Sequence, residues 1–283
     1  MSVLKVYRSL DAEQKRILAE KQVDLNRPIA ELLTLLKPIA ACDRVADKAR
    51  TRLGCTFGAG IVLTIILTFF VAGNFGGLAA IAVLLIGLTI IIGSGWLWFW
   101  TKKIDLSNNM RDFVLPVLSV IREDVDSNEP VHVKLDLRSP TSDAKRTSKS
   151  DPYKSGAYYK VIDSMYVDPW MEFEGALTDG TKLSWRITDT IRERQKTKRN
   201  PRGKIKTKTK YAKKSDIEVA VGLRNKTYAI GSDAGDVKSG DKRNTVQMYH
   251  RHRSASLDPI PTEALIGLIT AVYSKTRPAG KEA

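Results

Sequence analysis

Residues 192–214 crowd together Arg192, Arg194, Lys196, Lys198, Arg199, Arg202, Lys204, Lys206, Lys208, Lys210, Lys213 and Lys214, against one acid, Glu193. The chemistry of such a segment is anion binding, and its order is informative. Arg192, Arg194, Lys196 and Lys198 alternate with Glu193, Gln195 and Thr197. After Asn200-Pro201-Arg202-Gly203, Lys204, Lys206, Lys208 and Lys210 alternate with Ile205, Thr207 and Thr209. Alternation is the period of a strand, so two such limbs set like charges opposite one another on one face. Those pairs repel. The arm is therefore either a solvated loop or a ribbon that takes an anion. Single-stranded nucleic acid is usually met by stacking aromatics beside the charges, and Tyr211 is the only aromatic in the arm. That ranks an anionic lipid surface first among partners, an acidic protein second and nucleic acid third.

Other residues capable of chemistry carry weaker signals. His250 and His252 share a face if they lie on a strand, but two histidines do not make a metal site. Gly235-Asp236-Val237-Lys238-Ser239-Gly240-Asp241-Lys242 has the spacing of a phosphate loop with Asp241 where the lysine belongs. Asp163, Asp168, Glu172 and Glu174 cluster around Trp170 and read as solvated strand-edge groups. No nucleophile elbow, zinc-protease helix or kinase set occurs. The sequence thus assigns no catalytic residue, no metal ligands and no cofactor. Cys42 and Cys55 give no disulfide framework, which fits a reducing compartment; Cys55 is expected to be a small buried residue rather than an acylation site. Asn225-Lys226-Thr227 matches a glycosylation acceptor but is inert on a cytoplasmic side.

The elements that carry these residues are set by an opposite feature. Charged residues make up 27% of the chain, yet none, nor any His, lies from Gly54 to Trp100. Gly73-Asn74-Phe75-Gly76-Gly77 divides the stretch into two spans, 54–73 and 78–100. At about 1.5 Å rise per residue each is about 30 Å long, the thickness of a bilayer core. The expectation is a transmembrane helical hairpin in the plasma or inner membrane. About fifty polar, helix-like residues precede it, which argues against a signal peptide. Arg50 and Arg52 before the first span, and Lys102 and Lys103 after the second, place both termini in the cytoplasm. Trp96, Trp98 and Trp100 would anchor that end at the interface. Gly58, Ala59, Gly60, Gly87, Gly93, Ser94 and Gly95 permit close helix packing and a homo-oligomer through the hairpin.

Mean hydropathy is only −0.21, so most of the chain belongs in water. Net charge is +15, of which +4 precedes the hairpin and +11 follows it. Residues 1–53 read as cytoplasmic helices. Ser9 would cap one that runs through Ile17, Leu18 and Val23, and Pro28 would start another, interrupted near Pro38. Residues 101–125 read as a juxtamembrane amphipathic helix. Residues 126–283 read as an antiparallel β-rich cytoplasmic domain closed by a helix over 262–275. Within it, Val131, Val133, Leu135 and Leu137 mark a first strand, 139–156 a loop, and further strands follow around 158–163, 171–177 and 183–191. Apolar positions in the last two are odd-numbered, so only a three-residue loop, Thr178-Asp179-Gly180, keeps them on one face; Gly180 is then left-handed. An even-length turn about Asn225-Lys226 would join Ile217–Val221 to Tyr228–Ile230, with 231–245 a loop and Val246–His252 a closing strand. The function that fits is a non-enzymatic membrane anchor or scaffold offering its arm to an anionic partner. A pore-forming effector is the first alternative and a membrane-bound enzyme the second.

Overall fold

The computed structural model describes residues 3–231 and 236–279. The chain divides into two compact units: Met1–Glu20 with Lys37–Leu106, and Lys21–Leu36 with Ser107–Ala283.

In the first unit α1 covers Val3–Ser9 and α2 covers Ala12–Glu20. A reciprocal cap starts α2. The Gln14 N–H donates to the Asp11 carboxylate at 2.7 Å, and the Asp11 N–H donates to the Gln14 side chain at 3.0 Å. Ser9 does not cap the helix as expected; it ends α1 and donates to the Val6 carbonyl. Nor does the helix reach Val23, which lies in a strand. α3 runs from Ile29 to Phe75 straight through Pro38, without the expected interruption. An internal proline costs a helix about 3 kcal/mol; burial of Leu35, Leu36, Ile39, Ala40 and Cys42 around it offsets that cost. α4 spans Gly77–Lys103, and Gly76 alone, at φ 86°, makes the turn. The hairpin is therefore tighter than the five-residue link expected.

Small residues hold α3 to α4. Gly54 meets Trp98, Phe57 meets Gly95, Gly60 meets Ile91 and Thr64 meets Gly87, a register of steps of three and four. A Cβ at Gly87 would lie 2.3 Å from the Thr64 side chain. Most other side chains of the pair are uncovered, Phe69 at 77% and Leu78 at 87% exposure among them. By length and composition both helices can cross a membrane. At the charged end Arg50 reaches Asp105 at 2.8 Å and the Thr101 carbonyl at 3.3 Å. Lys102 sits 3.7 Å over the Trp98 ring, and Trp100 packs edge-on to Tyr7. Cys55 is exposed, against the expectation of burial.

The second unit is built on an antiparallel sheet. Its strands are β1 Gln22–Pro28, β2 Pro130–Asp136, β3 Arg146–Lys149, β4 Tyr153–Ser155, β5 Tyr158–Ala176, β6 Lys182–Arg199, β7 Ile205–Arg224, β8 Tyr228–Ile230, β9 Asp236–Lys238, β10 Arg243–Ser254 and β11 Thr276–Pro278. The order is β1-β2-β5-β6-β7-β10-β9, with β3 and β4 also on β5, while β8 and β11 form a separate pair. A π-helical turn, Met110–Val114, leads into α5, Leu115–Ile121, and α6 is Thr262–Ser274. The helix expected over 101–125 is thus broken. After Lys103 the chain opens because the Leu106 N–H finds Asp43 and the Ser107 N–H finds the Leu137 carbonyl, each outside any helix.

Two expected strands, 158–163 and 171–177, are one. Pro169 pairs with Thr188 and Met171 with Ile187, which leaves Trp170 as a bulge. Pro169 lacks the N–H that a regular ladder needs, and the extra residue swaps the faces. Ser164, Tyr166 and Asp168 are buried before it; Met171 and Phe173 are buried after it. Trp170 itself meets Phe113 edge-on, ring centres 5.4 Å apart. The β5–β6 loop is as expected: Gly180 has φ 78° and its N–H donates to the Leu177 carbonyl. Phe173 stacks on Trp185 at 3.8 Å, so the odd-numbered apolar sets share one face. Elsewhere the expectations need correction. β8 pairs with β11 rather than β7, whose neighbour is β10. The supposed loop 139–156 contains a 3-10 turn, Asp143–Lys145, and β3 and β4. The supposed loop 231–245 contains β9 and the start of β10. α6 is as expected and buries Leu265, Ile269 and Val272.

Gly180→Ala should lower stability by about 1 kcal/mol, because a left-handed residue with a Cβ is strained. Thermal unfolding of the detergent-solubilised chain measures it; an unchanged midpoint contradicts the loop assignment.

Candidate anion-binding face

The basic arm is a strand ribbon. β6 and β7 stay paired from Lys182–Gly222 to Arg199–Ile205, and Asn200–Lys204 turns the chain with Gly203 at φ 78°. The register places Lys198 opposite Lys206, Lys196 opposite Lys208 and Arg194 opposite Lys210. Directly opposed residues share a face. Arg192, three residues further from the turn than Gln195 and in phase with Arg194, joins them opposite Ala212. Successive rows stand about 6.7 Å apart along the strands. The charged residues of the arm on the other face of the ribbon are Glu193, Arg199 and Lys213; there Thr197 bonds Thr207 at 3.1 Å, and Tyr166 donates to Glu193 at 2.9 Å.

The twelve cations of the arm do not all act together. Lys213 lies on the opposite face, buried, 3.6 Å from Asp189, and its ammonium donates to the Asp258 carbonyl. Arg199 donates to the Gly203 carbonyl at 3.4 Å. Arg202 and Lys204 sit at the exposed tip, and Lys214 is exposed on the cationic face.

Tyrosines reach this face from neighbouring strands, a feature the sequence did not show. Tyr153 on β4 pairs with Val161 on β5, and Val161 pairs with Lys196, so one row runs Tyr153, Val161, Lys196, Lys208. Tyr159 lies two positions from Val161 on the same face and is exposed, and the Lys196 ammonium sits 5.3 Å from the Tyr158 ring centre. Asp163 organises the site. It accepts from the Tyr153 hydroxyl at 2.8 Å and from Arg194 at 2.6 and 2.8 Å. The Arg194 guanidinium holds the Asp163 carboxyl below its ordinary range. A second trio repeats the pattern on the same face. Asp216 accepts from the Tyr249 hydroxyl and from Arg251 at 2.6 and 3.1 Å, and Arg251 lowers its pKa in the same way.

At Tyr249, which is directly opposite Glu218, the face turns acidic. A groove of about 420 Å³ is lined by Glu172, Glu174, Glu218 and Asp236, with Arg186 3.2 Å from Glu172. Glu172 and Glu174 are thus surface groups as expected, but Asp168 is not. It is 1% exposed, directly opposite Asp189, with Lys145 2.7 Å away; Lys145 also reaches Asp136 at 3.2 Å. Burial raises the Asp168 pKa to about 6 in spite of Lys145. These ion pairs tie the 3-10 turn to the sheet, and the Lys213 hydrogen bond to the Asp258 carbonyl ties on the segment before α6.

The remaining motifs bring little together. His250 and His252 share a face of β10 and, among the described residues, belong to no group that could hold a metal ion. Gly235 of the loop-like motif lies outside the described residues, and Asp236–Lys238 is β9. Asp43, Asp47 and Asp105 converge, but Arg50 sits between the last two and Asp43 accepts the Leu106 N–H.

Asp168→Asn tests the buried cluster. Folded Asp168 binds its proton more tightly than the unfolded carboxyl near 3.9. Its ionisation therefore costs stability as pH rises through that window to about 6. The variant should gain on the order of 2 kcal/mol relative to the parent between pH 4 and 7, measured by chemical unfolding; a pH-independent difference contradicts it. In comparisons with known proteins, no family model, curated protein or solved structure matches this chain.

Proposed function

We propose that the protein is a non-enzymatic membrane anchor or scaffold whose sheet unit binds a phosphate-rich partner on the cationic face of β6 and β7. The observation that carries this is the ladder of opposed cations, Lys198–Lys206, Lys196–Lys208 and Arg194–Lys210. Of these, only Arg194 has a carboxylate partner among the described residues. Holding like charges face to face costs stability, and a polyanion converts that cost into binding by releasing its counterions.

The anchoring half of the proposal rests on the hairpin. Its helices expose large apolar side chains nearly everywhere they do not touch each other, and each exposed Å² costs about 25 cal/mol in water. A bilayer removes that cost. The Gly54–Trp98 contact puts Arg50, Arg52, Lys102 and Lys103 at one end, and the Gly76 turn carries no charge. In this reading the charged end and both termini face the cytoplasm.

Replacing Lys196, Lys198, Lys206 and Lys208 together by Gln should weaken binding of the detergent-solubilised full chain to inorganic polyphosphate. The slope of log affinity against log salt should fall by about 3, from about 0.7 per charge. The thermal midpoint should stay or rise, since repulsion is relieved. Unchanged affinity and slope contradict the proposal.

A further inference from the structure

We infer that the cationic face takes single-stranded nucleic acid, its bases stacking on tyrosines held by the paired Tyr–Asp–Arg trios. The inference rests on the proposed polyanion binding and names its partner.

Three observations favour this over a lipid surface. First, each trio fixes a ring and a guanidinium without covering them. Tyr153 is 38% exposed and Tyr249 52%, though both hydroxyls are tied to aspartates. An exposed aromatic with its orientation already set loses little freedom on stacking; Arg194 shares Asp163 with Tyr153, and the Arg251 guanidinium lies 5.5 Å over the Tyr249 ring centre, which leaves that ring's other face for a base. A headgroup layer needs only charge and gains nothing from this arrangement.

Second, the trios are separated along the sheet. Arg194 of the first is opposite Lys210, and Asp216 of the second is six residues further along β7, about 20 Å. Between them on the same face lie Arg192 and Lys214, with Arg253 opposite Lys214. The two acids of this stretch, Asp163 and Asp216, are neutralised by their arginines. Stacking platforms joined by cations along a backbone path are the arrangement that sequence-tolerant single-strand binding uses. A duplex keeps its bases stacked inside and offers the tyrosines nothing.

Third, the path has an end. Glu174, Glu218 and Asp236 line the 420 Å³ groove that Tyr249 itself borders, with Glu218 directly opposite Tyr249, and they repel a phosphate chain from that side of the ring, while Glu172 is paired with Arg186. The site is therefore a bounded strip running from the Lys198–Lys206 row to the Tyr249 trio. A planar anionic membrane pressed on the whole face would meet those carboxylates too.

The test uses the full chain in uncharged detergent. The probes are a fluorescent oligouridylate of about 15 nucleotides, within the range of single-strand sites, polyphosphate of matched charge, and phosphatidylserine vesicles as competitor. Tyr153→Ala and Tyr249→Ala should each weaken oligouridylate binding by about 5- to 100-fold. Polyphosphate binding should be unchanged, and Tyr→Phe at either site should lose less than Tyr→Ala, because the ring is kept while its hydroxyl bond to the aspartate is lost. Preferential binding of the oligouridylate over polyphosphate supports the inference. Equal affinity with no response to the tyrosine variants overturns it and leaves the polyanion proposal standing. Displacement by vesicles that bind more tightly than the oligonucleotide also overturns it. Failure of all three probes to bind at low salt removes the polyanion proposal itself.

Discussion

Uncovered apolar surface is the constraint from which the rest follows. α3 and α4 satisfy their own backbone hydrogen bonds and pack through Gly54, Gly60, Gly87 and Gly95, but two helices cannot cover each other's remaining sides. The candidate spans are only 6% and 11% buried. Core helices of water-soluble folds are enclosed, whereas this pair is not covered by the described residues, and in the proposed function a bilayer covers it. In the proposed membrane setting the small-residue seam matters because close backbone approach there replaces the hydrophobic effect as the force between helices. Arg50, joined to Asp105 and the Thr101 carbonyl, lies at the charged end of the pair.

The sheet unit solves a different problem, which is to keep one broad face polar while burying the other. The Trp170 bulge is central to this. It lets β5 bury even-numbered side chains beside Asp189 and Ile191 and odd-numbered ones beside Trp185 and Ile187. The buried face then carries both the apolar core and the Asp168–Lys145 and Asp189–Lys213 pairs, where charge is neutralised at close range. Leaving either partner alone in such a place is costly. The open face needs no such closure, and its cations stay available. In the proposed function this division of labour is what frees the ribbon for a partner.

Much of the organisation was legible because it is periodic. The charge gap located the hairpin, parity located the Gly180 loop, and alternation in 192–214 offered a ribbon of opposed cations beside a solvated loop, between which the β6–β7 pairing decides. Features that depend on contacts between distant residues were not legible. β1 has seven residues with few apolar positions, and it forms by pairing with β2, more than a hundred residues away. Asp168 looked solvated because Lys145 and Asp189 reach it only through the fold. The arm itself holds one aromatic, and the tyrosines beside its cations were not legible for the same reason: Tyr153, Tyr159 and Tyr249 come from other strands. Pro38 shows the reverse case, in which a strong local breaker yields to burial on both sides.

Everything proposed for the cationic face presumes that the hairpin crosses a bilayer and leaves the charged end on one side. Membrane-impermeant maleimide labelling of intact cells tests this directly, on a Cys42→Ala, Cys55→Ser chain carrying either Asn74→Cys or Lys103→Cys. The account predicts labelling of the Asn74 variant and protection of the Lys103 variant until the cells are opened. Equal labelling of the two, labelling of Lys103→Cys alone, or protection of both contradicts it.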